Sequence, residues 1–272
     1  MRPLLRFLLV LGLSAIAIGV AAGGAYAGSK PKNGFYVFKD LRTGGVIEFR
    51  DPRGRLVWRE LSFGDKDDPG TECGDSRHTL IGARWQAPPV YAVNPDVPAE
   101  ISSADAVADI VAAHYAWQDP FVTDCSGAPS SPYSAHYGGS TSLGPSLAVD
   151  LSLDGANVVQ FRTLAGTICD FPGVVACVIA YSQSARFVEA DMALEADLTR
   201  LGGDYRWTTG DTTWFGDGEG EFAVVDVATH EWGHFAGLGH VKKSPSLTMF
   251  PAIRDGMQTL GLGDMKGLLA RY

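Results

Sequence analysis

Residues 230–240 read His-Glu-Trp-Gly-His-Phe-Ala-Gly-Leu-Gly-His. His230 and His234 are four positions apart, which on a helix places them one above the other on the same face, about 6 Å apart along the axis. Two imidazoles so placed can share one tetrahedral Zn²⁺. Glu231 lies about 100° around the helix from His230 and about 60° from His234 on the other side, so it flanks a metal rather than ligating it. His240 would point roughly 240° away from His234 if the helix continued. The helix therefore has to stop, and Gly237 supplies the means by taking positive φ in a C-terminal cap that returns His240 to the metal. Three scattered core or surface histidines would explain neither the glycine nor the glutamate.

The flanking sequence indicates where such a site would operate. Residues 1–27 have the layout of a secretory signal, with Arg2 and Arg6 as a basic start, an apolar run from Leu8 to Val20, and Ala25-Tyr26-Ala27 as a small-x-small cleavage site. That run is shorter than the roughly 20 residues a membrane span needs, and no membrane insertion is expected beyond the leader. The whole chain of 272 residues carries a net charge of −9. Removing the leader takes away two arginines and no acid, so the remainder is more acidic still, which disfavours nucleic acid and anionic membrane as partners. Its four cysteines, Cys73, Cys125, Cys169 and Cys177, form an even set in a chain bound for an oxidising compartment, so two disulfides are expected. Cys169 and Cys177 flank a loop containing Pro172-Gly173 and would close it. Cys73 with Cys125 is the favoured second pair.

Turn signals divide the chain. Between Gly34 and Leu61, the β-prone runs 35–38, 46–49 and 56–58 are separated by Gly44-Gly45 and Asp51-Pro52-Arg53-Gly54, predicting a three-stranded meander. Such a unit is marginal alone and must pack on something. It reads as an N-terminal extension of the main domain, with a pro-segment or active-site cover as the alternative, and residues 65–74, rich in Asp and Gly, read as the linker after it. The domains are thus a leader at 1–27, a β-rich extension with its linker at 28–80, and a main domain at 81–272. In the latter, residues 90–93 predict a strand, and Ser102 with Asp105 three residues on starts a helix whose apolar face runs Val107, Ile110, Val111, His114 and Trp117. His114 on that face reads as a packed or surface histidine, as does His136 in the polar stretch 126–146, which reads as a loop. Runs 157–163, 177–182 and 187–194 are further strand candidates, and the helix carrying the histidines is expected to begin at Glu221 or Phe222.

The pattern His-Glu-x-x-His-x-x-Gly-x-x-His, with Leu247-Thr248-Met249-Phe250-Pro251 following nine residues after His240, resembles the metzincin signature and its Met-turn, and most of all matrixin-type metallopeptidases. Softer similarity extends over about 83–272, ending in Gly263-Asp264-Met265. The resemblance implies an α+β fold: a twisted mixed β-sheet packed on an active-site helix and a second long helix, then a small C-terminal subdomain with the Met-turn and final helix. It implies His230, His234 and His240 as ligands of one catalytic zinc, Glu231 as general base, Met249 as a hydrophobic floor beneath the metal, and Asp264 as an acid supporting the Met-turn. Departures from the pattern accompany it. No counterpart of the family's segment for structural zinc and calcium is present, although Asp217, Glu219 and Glu221 offer a weak calcium loop, and no tyrosine lies between Met249 and Tyr272. Glu72-Cys73-Gly74-Asp75 matches the cysteine of the matrixin pro-segment only at Cys-Gly.

These parts predict a secreted, monomeric zinc endopeptidase acting on protein or peptide substrates, with Glu231 taking the proton of a zinc-activated water. An extended substrate would lie antiparallel along an exposed edge strand, for which 177–182 is the candidate, beside an apolar pocket from Phe250, Pro251, Ala252 and Ile253. A non-catalytic zinc-stabilised binding module and a hydrolase of non-peptide amides are the alternative readings.

Overall fold

A computed structural model describes residues 33–63, 71–118, 125, 131–147, 153–210, 213–215 and 219–272. The leader at 1–27 and Asp217 lie outside the described residues. The chain runs β1 (Gly34–Leu41), β2 (Gly44–Arg50), β3 (Leu56–Phe63), β4 (Thr79–Leu80), β5 (Val90–Val93), α1 (Ser103–Ala116), β6 (His136–Ser140), β7 (Val158–Arg162), β8 (Val174–Gln183), β9 (Arg186–Glu195), β10 (Asp204–Thr208), β11 (Trp214–Phe215), β12 (Glu219–Ala223), α2 (Val224–Phe235), β13 (Leu238–Gly239) and α3 (Leu262–Arg271). This is an α+β architecture of the kind the metzincin resemblance implies: one twisted mixed sheet with α1 and α2 packed together on it, then a small C-terminal part ending in α3.

The large sheet has eight strands in the order β3-β2-β1-β8-β9-β7-β5-β6. The members β9, β7, β5 and β6 are mutually parallel, and the rest of the sheet is antiparallel. The N-terminal meander is thus three strands of the main sheet. Two of its strands bury nearly every residue, because the sheet's two faces are both covered there. Tyr36 and Phe38 face the core under α2, while Phe35 and Val37 face a second cluster with Leu164, Ile168 and Val174, as the period-2 alternation of a strand requires.

Three expectations are corrected by this arrangement. The strand at 177–182 is not an exposed edge, because β1 hydrogen-bonds along its length from Gly34↔Ser182 to Leu41↔Val174. The helix carrying His230 and His234 starts at Val224, later than Glu221 or Phe222, because residues 219–223 continue as β12, parallel to β10 and antiparallel to β11. Ala223 offers no side chain to cap the helix, and Thr213 serves instead: its Oγ1 accepts from the Ala223 N–H while its own N–H donates to Asp226. The polar stretch at 126–146 also holds a strand, β6, whose glycines and histidine hide its pairing to β5.

Helix α1 begins as its sequence predicts, with the Ser102 side chain accepting from the Asp105 N–H. Indole N–H groups then lock the layers: Trp117 donates to Thr229 O at 2.8 Å, Trp232 to Ile110 O at 3.1 Å and Trp85 to Phe235 O at 2.8 Å. Buried tryptophans need such partners, and here each one ties a neighbouring element to α2 or α2 to α1. Disulfides join Cys73 to Cys125 and Cys169 to Cys177. Among the described residues no helix is long and apolar enough to cross a membrane.

Candidate metal centre

The last turns of α2 carry His230, Glu231 and His234, all fully buried. Gly237, at φ +97°, ends the helix, with its N–H donating to His234 O at 2.9 Å. The chain then pairs as β13 with β4, Leu238 opposite Leu80, and this short ladder holds His240 against the helix. His240 comes back to the other two imidazoles: His230 Nε2 to His234 Nε2 is 3.1 Å, and His234 Nε2 to His240 Nε2 is also 3.1 Å.

Which nitrogens meet is fixed by backbone carbonyls. His230 Nδ1 lies 2.7 Å from Thr248 O and His234 Nδ1 lies 2.9 Å from Leu238 O. A carbonyl can only accept, so each Nδ1 carries the proton and each Nε2 presents a lone pair. Burial presses the His234 imidazole down to about 4, which keeps it neutral. Lone pairs about 3 Å apart repel one another unless a cation lies between them. Their spacing is close to the roughly 3.3 Å edge of a tetrahedron built on metal–nitrogen distances of about 2.0–2.1 Å. Carbonyl acceptors behind the ligating rings are what metal-bound histidines ordinarily have. The donor set therefore fits a zinc ion.

The Met-turn closes the site from below. Met249 is buried, and its sulfur lies so close under the helix that a Cβ on Gly233 would stand 2.1 Å from it and 2.7 Å from the Trp117 ring. Val241 N–H donates to Met249 O at 2.8 Å, tying the strand of the third histidine to the turn. Asp264, at the start of α3, accepts from the N–H groups of Thr248 at 2.9 Å, Met249 at 3.2 Å and Gly261 at 2.9 Å. Burial raises this carboxyl, and the three N–H donors and Arg254 pull it back.

The sequence model of the matrixin family, the M10 peptidases, matches residues 184–272, from the β8–β9 turn to the last residue. These residues form a matrixin-like catalytic segment. A comparison with curated protein sequences gave no significant match. The matrixin-like segment contains every residue from His230 to Asp264 that builds the centre, and it leaves strands β1 to β8 outside the match.

One group in the centre escaped the sequence reading. Asp40, near the end of β1, joins His230, His234 and His240 in a cluster whose ligand atoms all lie within 4.8 Å of one another. Its Oδ1 is 2.7 Å from His240 Nε2 and 3.3 Å from His230 Nε2, and its Oδ2 is 3.3 Å from His234 Nε2. Burial alone would raise this carboxyl, but positive charge at the imidazole cluster, at His240 foremost, outweighs burial and holds it well below the usual range. Glu231 moves the opposite way: burial first, and then Asp40 beside it, push its carboxyl far up. Neither Glu231 oxygen meets a hydrogen-bond donor among the described groups. Two buried carboxyl groups facing each other can both ionise only with positive charge between them, which a divalent cation supplies.

The other sequence-derived site residues fall elsewhere. Glu221 pairs with Arg206, and Glu219 is exposed on β12, so the calcium loop finds no support. Phe250, Pro251 and Ile253 are buried beyond the Met-turn. His114 packs inside the core, 2.9 Å from Tyr91 OH, and His136 is exposed on β6. The first predicted strand ends at Phe38, two residues short of Asp40, and the only sequence signal near Asp40 is the Gly44-Gly45 turn after it.

Proposed function

We propose that the protein is a secreted, monomeric zinc-dependent endopeptidase whose metal is held by His230, His234 and His240 and whose general base is Glu231. The convergence of three Nε2 atoms beside a buried carboxyl group that no hydrogen-bond donor satisfies carries this reading. When bound, zinc supplies a Lewis acid that polarises a carbonyl and lowers the pKa of water toward about 7. Glu231 takes the proton of the attacking water and returns it to the leaving nitrogen. Gly237 places the third ligand, and Met249 with Asp264 behind it keeps the floor of the site rigid, so the ligands need little reorganisation. The leader at 1–27 and the two disulfides support export, and the matrixin likeness supports protein or peptide as substrate.

The test is hydrolysis of a denatured protein and a peptide library by zinc-loaded chain opened with limited trypsin, the trypsin then being inhibited. Cleavage that a chelator abolishes, zinc restores and Glu231→Gln removes is the expected result. A non-catalytic binding module would hold stoichiometric zinc and cleave nothing. A hydrolase of non-peptide amides would act on small amides and leave peptides intact, and either outcome overturns the reading.

A further inference from the structure

Glu231, the three histidines and Asp40 are all buried, so the centre is shut, and what shuts it is the hairpin β1–β2. Strand β1 lies antiparallel on β8, in the place an extended peptide would need. Phe38 stacks on the imidazole of His234, with ring centroids 4.3 Å apart and planes 17° apart. Across the hairpin Asp40 pairs with Gly45. A Cβ on Gly45 would stand 2.3 Å from His240 Cε1 and 2.8 Å from Asp40 Oδ1, so only glycine lets β2 come this close. At the tip, the Arg42 guanidinium lies 6.0 Å from the Tyr205 ring centroid and 5.7 Å from that of Phe215, anchoring the turn beyond the centre.

We propose that Asp40 is the fourth protein ligand of the metal and that the β1–β2 hairpin is a built-in inhibitor that holds the enzyme latent. The proposal rests on the reading of the three histidines as zinc ligands. A buried carboxylate ringed by three imidazole Nε2 atoms is tolerable only with positive charge among them, and one metal ion bound by all four groups supplies it. Three nitrogens and one carboxylate oxygen complete a tetrahedral set, and a site with four protein ligands is of the closed, structural kind, with no position left for water. Withdrawal of the hairpin opens that position and bares β8 together. The parts are separable: Cys73 is bonded to Cys125, β4 pairs with β13, and Leu262 N–H donates to Glu72 O at 2.9 Å, so the chain from 71 onward belongs to the body of the site. Residues 33–63 are joined to that body by no disulfide.

The test uses the uncut full chain as wild type, Asp40→Ala and Gly45→Val, the last prying the hairpin away while keeping Asp40. Three readouts are taken: zinc transfer to a chromogenic chelator, the visible spectrum of the Co²⁺-substituted protein, and peptide hydrolysis. The expected result is slow zinc transfer and little hydrolysis in wild type. Both variants should transfer zinc about tenfold faster or more, Asp40→Ala should show an altered Co²⁺ spectrum, and Gly45→Val, which lifts the hairpin from β8, should gain hydrolysis. Faster zinc transfer and an altered spectrum with no hydrolysis in any form would uphold Asp40 as ligand and sink the peptidase reading. Unchanged spectrum and transfer in a folded Asp40→Ala protein, or hydrolysis by uncut wild type at the rate of Gly45→Val, would overturn the proposal. Should Asp40→Ala fail to fold, unchanged zinc transfer in Gly45→Val would do the same.

Discussion

Asp264 offers the sharpest handle on how the metal centre is kept in place. Its carboxylate is fully buried and accepts three backbone N–H groups, two on Oδ2 and one on Oδ1. In Asp264→Asn the amide oxygen can take the Oδ2 position and keep the bonds from Thr248 and Gly261. The amide NH₂ then faces the Met249 N–H, leaving one buried donor without a partner. One such loss costs about 1–3 kcal/mol, and the two surviving bonds lose their charge assistance, so a total of about 2–3 kcal/mol is expected. For a domain of this size that is a fall in Tm of roughly 5–10 °C. Thr248 also presents the carbonyl that orients His230, so zinc affinity should drop about tenfold or more. Urea unfolding of the metal-free protein and zinc competition with a chelator measure the two effects separately. An Asn variant as stable as the parent and binding zinc equally well would refute the reasoning, and would mean that Asp264 is protonated in the native protein.

Three more outcomes follow from the same geometry. Gly233→Ala should destabilise by about 1–3 kcal/mol, because its methyl meets both a movable Met249 sulfur and a fixed Trp117 ring; chemical denaturation checks this, and a neutral effect would place the Met-turn farther from the helix. Burial lowers the His114 imidazole to about 4, below its usual 6.5. The unfolded chain thus binds this proton first, so stability should fall, by up to about 3 kcal/mol, as pH drops from 6.5 toward 4. His114→Gln, melted over the same range, should lose that component of the slope. Removing zinc should lower the Tm and make it depend on zinc concentration, since the unfolded chain lacks the assembled site; calorimetry with and without chelator would expose a centre that binds no metal.

The helix and the meeting of its histidines were legible because both depend on spacing along one element. Four residues set His230 over His234, and the need to reverse direction before His240 singled out Gly237, which does take positive φ. The meander was legible from alternation and turn residues, as was the Ser102 cap. What the sequence could not disclose was long-range pairing. Nothing local tells Gly34–Leu41 to lie on β8 rather than on some other edge, and that one pairing both removes the exposed strand and delivers Asp40, 190 residues from His230, to the centre. The start of α2 was misplaced for a related reason: the helical pattern of 224–235 was extended backward through residues whose β12 pairing with β10 and β11 is tertiary.

The central claim is that the histidine triad and Glu231 form a hydrolytic zinc site. Its most direct measurement is the rate of peptide cleavage by Gly45→Val protein compared with the Gly45→Val/Glu231→Gln double variant at equal zinc content. A loss of about 10²–10⁴-fold on replacing Glu231 is predicted, the range for removing a general base. Equal rates in the two proteins would contradict it.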